Sequence, residues 1–169
     1  MTDLFAEFVP DEWIARIVIT ALRNPLCIFQ LLTKRPERMR AFFAGYYPKP
    51  IPNLWLGASI GERRQLETLD LFYATPAAVR FVSFEPLLED LGRLRLRGIG
   101  WVIAGSESDA RGRARPMQLD WLRNFRDQCV ACGVPFFFKQ DAVRGKKLPT
   151  PELDGRQWRE FPVRPGLAS

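Results

Sequence analysis

The chain has 169 residues, 47% of them hydrophobic and 26% charged, the composition of an ordinary globular protein with material for one sizeable core. No apolar run approaches the ~20 residues that cross a bilayer, and the start from Met1 to Phe5 lacks the basic-then-apolar pattern of an export signal, so a cytoplasmic protein without a membrane partner is expected. Three cysteines, an odd number, argue against a disulfide framework.

The net charge of +6 admits a polyanion, with nucleic acid as the candidate partner. The basic residues concentrate at Arg93, Arg95 and Arg97, at Arg111, Arg113 and Arg115, and at Arg144, Lys146 and Lys147. Runs of this kind read first as solvated faces.

In chain order, Trp13, Ile14, Ile17, Val18, Ala21 and Leu22 recur at helical spacing between Pro10 and Asn24-Pro25, which predicts a helix. Cys27 to Leu32 reads as a covered strand with Cys27 buried in it, and Pro36 opens a second helix striped by Met39, Phe42 and Phe43. A strand at Leu54 to Ser59 precedes a helix from Glu62 to Tyr73, which stops at Thr75-Pro76. Strands follow at Val79 to Phe84 and Trp101 to Gly105, joined by a stretch too broken by Pro86, Gly92 and charges for a helix. A helix from Leu119 to Cys132, ended by Gly133, and a strand from Val134 to Phe138 complete the pattern. Strands apolar on both faces that alternate with helices predict an α/β fold with a parallel sheet of about five strands. The domain is placed at residues 1–140, with a polar tail over 141–169 packed on or beside it.

Parallel α/β folds carry their sites at the C-terminal ends of the strands. Here each end is polar: Thr33, Lys34 and Arg35; Ser59; Ser83 and Glu85; Gly105, Ser106, Glu107 and Ser108; Lys139 and Gln140. Alternation puts Val79, Phe81, Ser83 and Glu85 on one face of their strand and Trp101, Ile103, Gly105 and Glu107 on one face of theirs, so both carboxylates project to one mouth. With the basic residues nearby, this set can bind a charged ligand or run acid-base chemistry; ion pairs closing the mouth are the bland alternative. Gly105 is read as permitting close approach of a ligand to the backbone. The glycines of Gly57-Ala-Ser-Ile-Gly61 lack the phosphate-loop pattern and read as a turn. Cys129 and Cys132 fall at a helix C-terminus, where the dipole does not favour a thiolate, and read as packing thiols; no metal site is expected.

Leu31-Leu-Thr-Lys-Arg-Pro36, Trp55-Leu-Gly-Ala-Ser59, Val79-Arg-Phe-Val-Ser-Phe-Glu-Pro-Leu-Leu88, Trp101-Val-Ile-Ala-Gly-Ser-Glu-Ser108 and Ala114-Arg-Pro-Met117 together resemble the phage gene product 37/68 family, a domain of unknown function. The likeness continues through Asp120-Trp121, Gly133-Val-Pro-Phe-Phe-Phe-Lys-Gln140 and Leu153-Asp-Gly-Arg156. It implies a radical S-adenosylmethionine type of protein whose full-length members hold a [4Fe-4S] cluster on an N-terminal Cys-x-x-x-Cys-x-x-Cys motif. That motif is absent here, so the resemblance implies a partial (β/α) TIM-like barrel missing its N-terminal units, inactive alone. S-adenosylmethionine and the cluster are implied by the family only. A separate N-terminal half or a second copy would cover the open sheet edge.

The residues so placed at the cofactor or substrate mouth are Lys34, Arg35, Ser59, Ser83, Glu85, Gly105, Ser106, Glu107, Arg115, Lys139 and Gln140. Gly61 stands where the family has an acid, Ser106 and Asp109 where it has glycines, and Asp141 follows Gln140 in place of Trp-Gly, so the chain departs from the family's pattern at its strand ends. The alternative function is a non-catalytic nucleic-acid-binding module.

Overall fold

The computed structural model describes residues 3–107, 109, 113–143, 146–149 and 151–164. Ser108, Arg111 and Arg144 lie outside the described residues, as do the side chains of Lys146 and Lys147.

Helix α1, Asp11–Arg23, begins after Pro10 with two acids in its first turn and ends with Arg23 in its last, each charge favoured by the helix dipole. Its buried stripe is Ile14, Val18 and Ala21. Strand β1, Phe29–Thr33, follows, then α2, Pro36–Tyr46, with proline at its first position and Met39, Phe42 and Phe43 buried. Next come β2, Leu54–Ser59; a short 3-10 turn, Arg63–Gln65; α3, Thr68–Tyr73; β3, Val79–Phe84; and β4, Trp101–Gly105. Helix α4, Leu119–Cys132, ends at Gly133, whose φ of 64° is the left-handed cap that glycine adopts without strain. Strands β5, Phe136–Val143, β6, Lys146–Pro149, β7, Glu152–Leu153, and β8, Arg156–Gln157, complete the chain.

The sheet order is β1-β2-β3-β4-β5-β6, with the first five strands parallel and β6 antiparallel. Parallel strands in sequential order, joined by right-handed crossovers, put every helix on one face of the sheet, as in one arc of a (β/α) barrel. The core agrees. One cluster joins the helices to Leu56, Val82, Phe84, Val102 and Phe138 on the outer face, and a second, without helical residues, packs Trp55, Val79, Phe81, Trp101 and Ile103 on the inner face.

Several local expectations are corrected. Cys27 precedes β1 and is exposed, and β1 alternates between half-buried and exposed because it is an edge strand whose inner face nothing among the described residues covers. The helix foreseen over 62–73 is broken at Leu66 and Glu67: the Gln65 side chain accepts from the backbone N–H of Gly61 and Glu62, which holds the first turn tight. The last parallel strand starts at Phe136 and runs through residue 140 to Val143, where it meets β6. Apart from these corrections, the segment over 141–169, expected as a polar tail packed on or beside the domain, contributes Leu153 and Trp158 to the buried cluster.

The two sheet edges differ. On the β5 side, β6 pairs over 140–143, and the Trp158–Glu160 stretch takes the rest: Phe138 N–H donates to the Trp158 carbonyl at 2.8 Å and Glu160 N–H to the Phe136 carbonyl at 3.1 Å. The β1 edge has no strand partner beyond β2 among the described residues.

Candidate functional site

Strand register sets the inner face in three tiers. At the lower end lie Trp55 and Val79; Trp101, in register with Phe81, stands one tier above them, with Phe137 and Phe161 closing on it at ring distances of 5.9 and 5.4 Å. In the middle, the Phe81 ring lies over Gly57, where a side-chain carbon would come within 2.3 Å of it. At the upper, C-terminal end the same face turns polar, with Ser59 and Ser83 in register and Glu85 two residues on.

Glu85 is the hub of that end. One carboxylate oxygen accepts from the Ser83 hydroxyl at 3.2 Å and from the Lys139 ammonium at 2.9 Å, and its side chain is only 14% exposed. Glu107 is gripped by Arg115 through the backbone N–H at 2.9 Å and two guanidinium contacts at 3.0 and 2.7 Å. Those bonds, the guanidinium ones first, hold the Glu107 carboxyl down at about 2. A recess of about 130 Å³ is lined by Lys34, Ser59, Glu85 and Arg115 together with Glu62 and Gln65. It meets, at Lys34 and Ser59, a groove of about 560 Å³ that runs along the β1 edge past Gln30, Leu32 and Asp3.

The fold therefore brings together Lys34, Ser59, Glu85 and Arg115, with Ser83 and Lys139 attached through Glu85 and Glu107 through Arg115. Arg35 turns into the groove, where it pairs with Asp3 at 3.3 Å. Gln140 and Ser106 bind each other, the Gln140 amide donating to the Ser106 carbonyl at 2.9 Å and the Ser106 N–H to the Gln140 carbonyl at 3.1 Å. Gly105 makes room for protein: a side chain there would press on Gln140 at 3.1 Å and on Glu85 at 3.3 Å.

Three site residues escaped the reading of strand ends. Asp3 accepts from Thr33, Phe5 N–H and Lys34 N–H at 2.8 to 2.9 Å; partial burial raises its pKa, but these bonds and Arg35 outweigh that and lower it. Nothing local in the sequence announces a contact thirty residues away. Glu62 and Gln65 did carry a signal, because an acid three residues before a glutamine after a strand is a capping box.

The family described as Protein of unknown function (DUF5131) matches residues 1–162. The chain belongs to that family. No curated protein and no solved structure matches it. No group of three or more His, Cys, Asp or Glu side chains among the described residues of this DUF5131 protein is placed to hold a metal ion. Its thiols are also far from the mouth in the fold: Cys27 precedes β1 and Cys132 ends α4 ahead of β5, both at the N-terminal end of the sheet. Cys129 is buried, which pushes its thiol up to about 12. No helix of the described residues is long and apolar enough to cross a membrane.

Proposed function

We propose that the chain is the ligand-binding arc of a barrel enzyme of radical S-adenosylmethionine type, and that by itself it binds ligand without catalysing a reaction. The observation that carries this reading is the convergence of Lys34, Ser59, Glu85 and Arg115 on one recess at the C-terminal ends of β1, β2 and β3. Parallel barrels place reacting groups at that end. The recess holds cations and carboxylates side by side, which suits a zwitterion: Lys34 toward a carboxylate, Glu85 toward an ammonium. The amino-acid end of S-adenosylmethionine is such a group, and the groove that continues from Lys34 has room for the remainder.

The cluster fits differently. A [4Fe-4S] centre needs thiolates gathered at one point, and here Cys129 is buried within α4 with its pKa raised while Cys27 and Cys132 lie at the end of the sheet away from the recess. The residues present do not hold it, and no chemical step is assigned to this chain. The β1 edge, without a further strand partner among the described residues and beside a groove that touches both faces of that strand, supports a further parallel strand docking there, from a separate N-terminal half or a second copy.

Calorimetric titration with S-adenosylmethionine tests the reading. Binding is expected, weakened at least about tenfold by Glu85→Gln, because a charge-assisted bond in a recessed site contributes about 1.5–3 kcal/mol. Absence of binding in a folded chain refutes it, as would cleavage of the ligand by the chain alone. The nucleic-acid alternative rests on the net charge of +6, which ion pairing leaves unchanged; Arg35, Arg38, Arg95, Arg115, Arg123 and Arg126 each face a carboxylate of the chain, which weakens the positive field around those side chains alone. Affinity for DNA that falls steeply with salt would favour it.

A further inference from the structure

A second recess, of about 230 Å³, lies between the first turn of α1 and the last turns of α2, in the helical layer and formed by none of the mouth residues. Its lining is Asp11, Glu12, Ala15, Phe42, Tyr46 and Tyr47. Phe42 is buried and forms the floor, with the Tyr46 ring at 5.0 Å and 49° to it and the Tyr47 ring at 5.8 Å and 36°. Three inclined aromatic rings therefore border one small space.

Two carboxylates stand on the facing wall. Asp11 is neutralised by Arg38 at 2.9 Å, a guanidinium also bound to the Ala6 and Val9 carbonyls. Glu12 has no ion-pair partner among the described residues. Tyr46 is 64% exposed, although an aromatic ring on the apolar stripe of a helix is ordinarily covered.

Aromatic faces carry negative charge density, and together with an unpaired carboxylate they select a cation with apolar substituents. A compact ammonium such as lysine keeps its water; a methylated one does not, and its methyl groups can contact the rings. We propose that this recess binds a methylated ammonium group, either of a free small cation or of a modified side chain on a protein partner.

The test is titration of the whole chain, followed by its amide resonances. Choline is expected to shift Glu12, Tyr46 and Tyr47 saturably. Its neutral isostere 3,3-dimethylbutan-1-ol should bind at least about fivefold more weakly, since the charge is what the rings recognise. Glu12→Gln and Tyr46→Ala should each weaken choline several-fold, and both positions are exposed enough for the fold to survive, which the remaining resonances report. A trimethyllysine peptide and its unmethylated form distinguish the sources: tighter binding of the methylated peptide than of choline names a protein partner, and the reverse names a free cation. Equal binding of choline and the alcohol, or no saturable shift with either, overturns the proposal.

Discussion

Adding one methyl group at Gly57 tests the inner-face packing directly. A carbon built there lies 2.3, 2.3 and 2.7 Å from three atoms of the Phe81 ring, where ordinary contact begins near 3.4 Å, so the ring must move by about an ångström. It has little room, because Phe81 is 2% exposed and Trp101 lies against it at 5.7 Å. Overpacking of this kind costs about 1–3 kcal/mol, offset by the roughly 0.5–1 kcal/mol that alanine gains over glycine within a strand. Gly57→Ala should therefore destabilise by up to about 2.5 kcal/mol, a fall in Tm of up to about 10 °C for a domain of this size. Phe81→Ala alone should cost about 3–5 kcal/mol. In that background the Gly57 change should become neutral or slightly stabilising, a coupling of about 2 kcal/mol readable by urea denaturation of the four proteins. Equal cost of Gly57→Ala with and without the ring would refute the packing argument.

Asn53 is buried and its amide donates to the carbonyls of Ala21, Asn24 and Cys27 at 2.8 to 3.1 Å, closing the turn from α1 to β1; Asn53→Ala should lose about 2–3 kcal/mol in denaturant titration. Asp154 accepts from Arg123 and Arg126, and those bonds lower its pKa to about 2. Its contribution to stability is therefore complete above the ordinary carboxylate value and is lost as pH falls toward 2, so the decline in Tm between pH 5 and 2 should be shallower in Asp154→Asn than in the parent. Toward a thiol reagent at pH 8, exposed Cys27 and Cys132 should react quickly and buried Cys129 only after unfolding; rapid reaction of all three would contradict the packing of α4.

Much of the architecture was legible because it is local. Periodicity located α1, β2, β3, β4 and α4 almost residue for residue, since a strand covered on both faces is a short apolar run and a helix on a sheet shows a regular stripe. The parallel class followed from their alternation. The polar strand ends were equally visible, as alternation carries Phe81, Ser83 and Glu85 up one face whatever the neighbours are.

Tertiary structure decided what depends on neighbours far along the chain. Cys27 to Leu32 reads as covered, but β1 stands at an edge, and only the strand order reveals it. Gly105 is open to a ligand in sequence and filled by Gln140 and Glu85 in space. Glu85 and Glu107, alike as strand-end acids, part company: the first faces the recess beside Lys139, and the second is locked to Arg115. The stretch over 141–169 reads as a polar tail packed on or beside the domain; that Leu153 and Trp158 join the core is decided by β6 and the 158–160 segment, which cap an edge that no local pattern announces. Sequence determines which segments can form strands and helices through their side-chain period; where each stands in the sheet, and so which polar ends meet, is set by contacts that only the closed fold makes.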